Sequence, residues 1–420
     1  MDEILQYLYG LERFGIKLGL EVIEQLLNTL DNPHYQFKSI HVVGTCGKGS
    51  TAAFLAKILQ EAGYNVGLYT SPHLVRFNER IQINRREISD QELIALTQEI
   101  KQELDILQPT FFEFTTALAF LYFARKKVDI AIIEAGMGAK LDATNVITPE
   151  LTILTNVDFD HMAYLGTTLS QIAEDKAAAI KPNVPVVSME KNKVMVDYFE
   201  KVCHERNTTL HHIKDHNLHP LNSSLQGQEF RFDQQLFATT MIGRHQLDNA
   251  STAILAAIIL QNRWLITPEA IRRGIAATSW SGRLDILSRQ PFIIIDGAHN
   301  VVEMTAIADF ITTIPHRKAL LLAIAKDKDI PALVRLIVPL FQQVIISQGN
   351  FKPAPTALIA REAKKYTAQI RYHGEFLPCK IKCAKSNFAQ VAFSKPPLVA
   401  SGQSCVIYDK NICLGGGVVL

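Results

Sequence analysis

At 420 residues the chain is longer than one compact core usually holds, and its net charge of +2, from 43 Lys+Arg against 41 Asp+Glu, gives no nucleic-acid-binding excess. A composition 48% hydrophobic, 20% charged and 8% aromatic excludes disordered and fibrous classes. The apolar runs at 250–260 and 319–325 are shorter than the roughly 20 residues a membrane-spanning helix needs.

The start, Met1-Asp2-Glu3-Ile4, lacks the basic and apolar regions of an export signal, so the expected location is the cytoplasm. Apolar positions at helical spacing over 4–30, broken by Gly15 and Gly19, predict two short helices around a loop. The β-branched run 37–43 predicts a strand that stops at Gly44, and 51–62 then reads as a helix. Further buried strands are predicted at 66–69, 128–133 and 151–155 with helical stretches between, the alternation of a parallel α/β sheet. From 184 to 237 the pattern loosens into short strands and polar turns, before helices at 245–262 and 268–276. Ser279-Trp280-Ser281-Gly282-Arg283 reads as a linker, after which strands at 292–295, 319–325 and 343–347 open a second α/β unit. The six cysteines, Cys46, Cys203, Cys379, Cys383, Cys405 and Cys413, match neither a disulfide framework nor a zinc spacing.

Three constellations carry chemistry. Gly44-Thr45-Cys46-Gly47-Lys48-Gly49-Ser50 lies between a strand and a helix, where glycines let backbone N–H groups close on phosphate oxygens. Lys48 would neutralise terminal phosphates, and Ser50 offers a hydroxyl to phosphate or Mg²⁺; the spacing departs from the common phosphate-binding loop. Ser71, Glu134 and His161 each follow a predicted strand, at the sheet edge where ligands bind, and together suit Mg²⁺ or Mn²⁺. Asp296-Gly297-Ala298-His299-Asn300 follows the strand 292–295, with Arg283 before it: an acid and an imidazole able to hold a ribose or orient a nucleophile, or simply a structural turn.

In order along the chain these residues resemble the folylpolyglutamate synthase and dihydrofolate synthase family, itself related to the Mur peptidoglycan ligases. The resemblance also rests on Leu18-Gly19-Leu20-Glu21, the run Ser71 to Arg80, Phe111-Phe112-Glu113-Phe114, Leu141-Asp142-Ala143-Thr144-Asn145, Asp158 to Gly166 and Gly243-Arg244-His245-Gln246. It implies an α/β fold: a Mur-ligase-like ATPase domain with a parallel sheet over 1–281 and a smaller, shortened Rossmann-like domain over 282–366.

By the same resemblance Ser71, Glu134 and His161 match metal-binding positions, and Lys176 a lysine carbamylated to bridge a second ion. Cys46, Gly47, Lys48, Gly49, Ser50, Asn249, Arg283 and Asp296 match nucleotide positions, with His299 beside them. Leu18, Gly19, Leu20 and Glu21, Thr110, Phe111, Phe112 and Glu113, and Leu141, Asp142 and Ala143 match the pterin side. The implied reaction, with Mg²⁺, is phosphoryl transfer from ATP to the carboxylate of dihydropteroate or a folate, then attack on the acyl phosphate by the amine of L-glutamate. Lys48, Lys176 and His299 are the expected catalytic residues of a monomeric enzyme, with closure of the second domain excluding water.

Cys46 stands where the family usually has Asn, Gly138-Ala139-Lys140 where it has Gly-Gly-Arg, and Val301 where Pro is common. The stretch 367–420 departs further: Pro378-Cys379, Gly402 to Asp409 and Cys413 to Gly417 resemble the C-terminal β-barrel domain of tRNA 2-thiouridylases, the one place through which nucleic acid, otherwise not an expected partner, could be contacted. A Mur-type amino-acid ligase and a catalytically impaired ATP-binding or tRNA-associated fusion protein stay open as alternatives.

Overall fold

The computed structural model describes residues 1–15, 19–349 and 352–364, with the backbone of four short strands beyond, at 380–384, 388–392, 408–409 and 412–413. Leu18 therefore lies outside the described residues, as does most of the 367–420 segment. The chain divides into two compact units, Met1–Trp280 and Ser281–Leu420.

In the first unit the β-branched runs pair as their burial demands. The strands are β1 (Lys38–Val43), β2 (Val66–Tyr69), β3 (Ile81–Ile83), β4 (Arg86–Glu87), β5 (Ile130–Glu134), β6 (Leu151–Leu154), β7 (Val186–Ser188) and β8 (Leu210–His212). They form one sheet in the order β4-β3-β2-β5-β1-β6-β7-β8. All neighbours from β2 to β8 run parallel, and β3 and β4 form an antiparallel edge. Strands β2, β5 and β6 are buried along their whole length, the signature of a parallel sheet covered on both faces. Strand β1 lies between β5 and β6, so the chain leaves it toward one side and returns on the other, the switch point at whose carboxyl end open α/β sheets bind ligands.

The helices of this unit are α1 (Asp2–Gly10), α2 (Glu21–Thr29), α3 (Lys48–Glu61), α4 (Asp90–Gln102), α5 (Phe111–Arg125), α6 (Met162–Leu165), α7 (Leu169–Ala177), α8 (Lys193–Glu205), α9 (Arg244–Leu260) and α10 (Pro268–Ala277). One core joins Phe54, Leu55 and Ile58 of α3 to Ile254 of α9 and Ile271 of α10; another joins Leu26 of α2 and Leu93 of α4 to Phe114 and Leu118 of α5. An antiparallel sheet of β9 (Leu218–Ser224), β10 (Gly227–Phe232) and β11 (Gln235–Thr239) adds Phe230, Phe232 and Phe237 to the first.

Helix α8 falls in the stretch whose pattern reads as short strands and turns. Its Val, Tyr, Phe and Cys content favours strand, yet the buried residues Met195, Val196, Phe199, Val202 and Cys203 keep helical spacing, and Asn192 caps it by accepting the Val194 N–H. Helices α10 and α3 meet at Gly274, where an added Cβ would lie 2.5 Å from the Ile58 Cα. Gly274→Ala is therefore expected to destabilise the fold by about 1–3 kcal/mol through overpacking, read as a lowered thermal midpoint. An unchanged midpoint would show that the two helices separate freely.

The second unit begins with the antiparallel pair β12 (Asp285–Arg289) and β13 (Phe292–Ile295). It continues through α11 (Val301–Thr312), the parallel pair β14 (Ala319–Leu322) and β15 (Gln343–Ile346), α12 (Ile330–Ile337) and α13 (Thr356–Lys364). Beyond them, 380–384 pairs antiparallel with 388–392 and 408–409 with 412–413.

Candidate active site

The glycine loop leaves β1 and enters α3, whose N-cap is Gly47. Gly44 and Gly47 have φ of 154° and 78°. A Cβ on Gly44 would meet Thr155 Oγ1 at 1.7 Å and one on Gly47 would meet Asn249 Oδ1 at 2.4 Å, so only glycine fits. That contact places the buried Asn249 of α9 against the loop, where its Nδ2 donates to Gln246 Oε1 at 2.9 Å. Lys48 turns back along the loop, its Nζ donating to Gly44 O at 3.1 Å and Thr45 O at 3.3 Å. Ser50 is buried in the first turn of α3, and Cys46 is half-buried.

Glu134 ends β5 at 4% exposure and accepts the Ser71 N–H at Oε2, 3.1 Å away. A Cβ built on Gly49 would stand 3.5 Å from the same oxygen and 3.2 Å from Trp280 Nε1. A buried carboxylate beside the glycine loop is the kind of donor a hard divalent cation takes, and the Ser71 hydroxyl would suit the same ion. His161 sits on the loop after β6 at φ 49°, its half-exposed ring 3.9 Å from Asp160. Among the described residues no three His, Cys, Asp or Glu side chains form a ready-made metal cluster, so any ion here leans on the hydroxyl and on ligand oxygens.

Lys176 is 2% exposed in α7. Burial, and then the neighbouring Lys48 ammonium, push its amine down to about 8 from an ordinary 10.5. Asp175 fixes its register by accepting the Ala139 N–H at 2.7 Å, and a Cβ on Gly138 would lie 2.3 Å from the same carboxylate oxygen.

On the opposite flank Gly19 and Leu20 lead into α2. Thr110 and Glu113 cap α5 reciprocally: the Thr110 N–H donates to Glu113 Oε2 at 2.7 Å and the Glu113 N–H to Thr110 Oγ1 at 3.3 Å. Asp142 is likewise engaged, accepting the N–H groups of Met137 at 2.9 Å and Thr144 at 3.0 Å, with Ala143 buried and Leu141 exposed beside it. Phe112 covers Gly136, where a Cβ would come within 2.5 Å of its ring. Phe111 stacks on Tyr9, centroids 6.0 Å apart, beneath the Arg80 guanidinium at 5.1 Å. Arg80 Nε donates to His73 Nδ1 at 2.8 Å, so the His73 proton sits on Nε2, facing the Tyr9 hydroxyl at 3.3 Å. Burial and the Arg80 charge hold that imidazole neutral, down to about 4.

In the second unit Asp296 follows β13 and accepts the N–H groups of Leu284 and Ala298, each at 2.7 Å. Burial, opposed by Arg283, raises its carboxyl to about 6. Glu303 on α11 pairs with Arg283 Nη1 at 3.3 Å and with His299 Nδ1 at 3.2 Å.

The reading of the sequence missed Glu303, Arg80 and Trp280 as parts of these clusters, and Asn156, whose Oδ1 accepts the Cys46 N–H at 2.8 Å beside the glycine loop. Only Glu303 carried a local signal, the Asn300-x-x-Glu303 cap in which the Glu303 N–H donates to Asn300 Oδ1 at 2.9 Å.

The Mur ligase middle domain matches residues 42–257, and an aminomethyltransferase β-barrel domain matches 342–419. Within the latter, Gln343–Ile346 form β15, parallel to β14, and Thr356–Lys364 form helix α13. The parallel sheet, the glycine loop after β1 and the first match together define a Mur-type ligase that forms carbon–nitrogen bonds. The chain is 35% identical over 373 residues to a dihydrofolate synthase/folylpolyglutamate synthase of Bacillus subtilis, covering 85% of this chain and 86% of that protein. It superposes on a folylpolyglutamate synthase of Thermotoga maritima with a TM-score of 0.78 at 34% identity, covering 88% of each chain. It superposes equally, at 0.78 and 32% identity over 87% of this chain and 93% of the other, on an FPGS–AMPPCP–folate complex. The chain belongs to the folylpolyglutamate synthase/dihydrofolate synthase family.

Proposed function

We propose that this chain binds ATP and joins L-glutamate to dihydropteroate, to a folate, or to both, through an acyl phosphate. The observation that carries this reading is the convergence of the loop 44–50, Lys48 and the buried Glu134 on one sheet edge, with the aromatic Phe111 and Phe112 on the flank beside it. The relatives favour the folate branch over the nucleotide-linked peptides of other Mur-type ligases.

In this reading the N–H groups of Gly47, Lys48 and Gly49 and the Ser50 hydroxyl cradle the phosphates beside Cys46, whose own N–H is held by Asn156 Oδ1, and the Lys48 ammonium neutralises the group in transfer. Ser71, Glu134 and His161 would hold Mg²⁺, which when bound neutralises phosphate charge. Asn249 braces the loop. Arg283 and Asp296 contact the nucleotide, and His299 is held by Glu303 to assist transfer. Gly19, Leu20, Glu21, Thr110 to Glu113 and Leu141 to Ala143 frame the pterin, mostly through backbone and rings, since the carboxylates of Glu113 and Asp142 are taken up by N–H groups. The division 1–281, 282–366 and 367–420, cytoplasmic location and action as a monomer belong to the same proposal. No helix among the described residues is long and apolar enough to cross a membrane.

Lys176 as a carbamate would offer oxygens in place of an ammonium. Only the neutral amine adds CO₂, so at fixed CO₂ pressure the carbamate signal from ¹³C-labelled CO₂ is expected to rise as pH climbs through about 8. Lys176→Arg is expected to lack that signal; its persistence would place the modification elsewhere.

The deciding experiment is Mg²⁺-ATP-dependent ADP release with glutamate plus dihydropteroate, and separately plus tetrahydrofolate. Release with the first, the second or both assigns synthase, polyglutamylase or both activities. Silence with both, from folded protein, removes the proposal.

A further inference from the structure

Glu190, just past β7, has no place in the chemistry above, yet it is 4% exposed. A carboxylate tolerates such burial only when its oxygens are occupied by donors. Both are: Oε2 accepts the Val157 N–H beyond β6, and Oε1 accepts the Asn192 N–H at 2.7 Å, at the cap of α8. Its main chain is held as firmly. The Glu190 N–H donates to Ser188 Oγ at 3.1 Å, and its carbonyl faces His212 Nε2. The Lys214 N–H donates to His212 Nδ1 at 2.8 Å, so the His212 proton lies on Nε2 and is given to that carbonyl. One residue thus ties together the carboxyl ends of β6, β7 and β8.

The purpose of the Val157 bond shows in the residues flanking it. Asn156 Oδ1 accepts the Cys46 N–H at 2.8 Å, and Asn156 O accepts the Thr45 N–H at 3.0 Å. The Asp158 N–H donates to Thr45 Oγ1 at 3.0 Å, and that hydroxyl donates to Asp158 O at 3.2 Å. Residues 156–158 therefore grip 45–46 of the phosphate loop from one side, and Glu190 grips the middle of the gripping segment. A loop that binds phosphate through N–H groups works only while those groups point at the ligand, and the supporting contacts set that direction.

We propose that Glu190 is a positioning residue for ATP, acting through Val157 and Asn156 on the shape of the loop 44–50. This rests on the reading of that loop as the ATP phosphate site. It differs from a purely structural role for Glu190 at the junction of three strands, which would lower stability without touching nucleotide affinity.

The test is binding of AMPPCP by calorimetry, with KM for ATP, glutamate and the pterin substrate measured separately and thermal midpoints alongside. Glu190→Gln keeps the size but turns an amide N–H₂ toward one of the two N–H donors. It is expected to weaken AMPPCP binding and raise the KM for ATP by about tenfold, the worth of one lost hydrogen bond, leaving the other two KM values in place. Glu190→Asp, too short to reach both donors, is the second variant and is expected to act in the same direction. Asn156→Ala removes only the last link, and the double variant Glu190→Gln/Asn156→Ala is expected to bind AMPPCP no worse than the weaker single variant. Unchanged AMPPCP affinity in folded Glu190→Gln and Glu190→Asp, or additive losses in the double variant, would overturn the proposal. Wild-type affinity in Lys48→Ala would instead show that the loop is not the phosphate site, and the role of Glu190 would fall with it.

Discussion

Lys48→Ala is expected to lower ADP release by two to three orders of magnitude, roughly what one charged group aimed at the transferring phosphoryl supplies. The geometry says why the loss should be chemical rather than structural. Lys48 is the first residue of α3, and its ammonium rests on two carbonyl oxygens of its own loop, Gly44 O and Thr45 O. Those are weak acceptors that a phosphate oxygen displaces at little cost, because a charge-assisted bond is about twice as strong as a bond to a neutral acceptor. The loop itself is held by other means: its glycine conformations, the packing of Asn249 against Gly47, and the bonds from Asn156 to Thr45 and Cys46. Removing the ammonium should also relieve the Lys176 amine of the repulsion from Lys48, so the thermal midpoint is expected to hold or rise slightly. Turnover and melting measured on one preparation separate the two effects. A variant that turns over at the wild-type rate would mean that phosphoryl transfer is stabilised elsewhere.

What the sequence discloses about this molecule follows the range over which each signal acts. Strands 66–69 and 151–154 stand where their apolar runs put them, since a buried parallel strand is written in consecutive residues. The loop 44–50 was equally legible, because glycine at positive φ is a local requirement. Its supports were not: Asn156 reaches Cys46 across 110 positions, and Glu190 reaches Val157 across 33. Neither Asn156 nor Glu190 differs in its own neighbourhood from an ordinary loop polar residue. Helix α8 was hidden for a different reason, as its periodicity was helical but its composition was that of a strand. Thr110 and Glu113 carry a local signal of another kind. Their spacing is that of a helix cap, and the structure engages both side chains in it.

Glu134→Gln should separate the metal from the fold more sharply than any deletion. Glutamine keeps the shape of the side chain and an oxygen able to accept the Ser71 N–H, so the turn after β2 loses no partner. What disappears is one negative charge, 4% exposed, at the mouth of the phosphate loop. Such a charge is costly to bury without a cation, and the neighbouring Arg80 guanidinium, itself buried, interacts favourably with it. The melting temperature of the variant without Mg²⁺ is therefore expected to match or exceed that of the wild type. With Mg²⁺ and ATP the order reverses: the wild type gains the stabilisation of a bound ion, and the variant gains little. Turnover at fixed Mg²⁺ should fall by about a hundredfold or more, and the Mg²⁺ concentration for half-maximal rate should move upward, since a carboxylate ligand contributes several kcal/mol of charge stabilisation that an amide does not. A Mg²⁺ titration of ADP release, paired with melting curves at each concentration, reads both effects. If the variant keeps the wild-type Mg²⁺ dependence, the ion is held by other groups and Glu134 serves only to fasten Ser71.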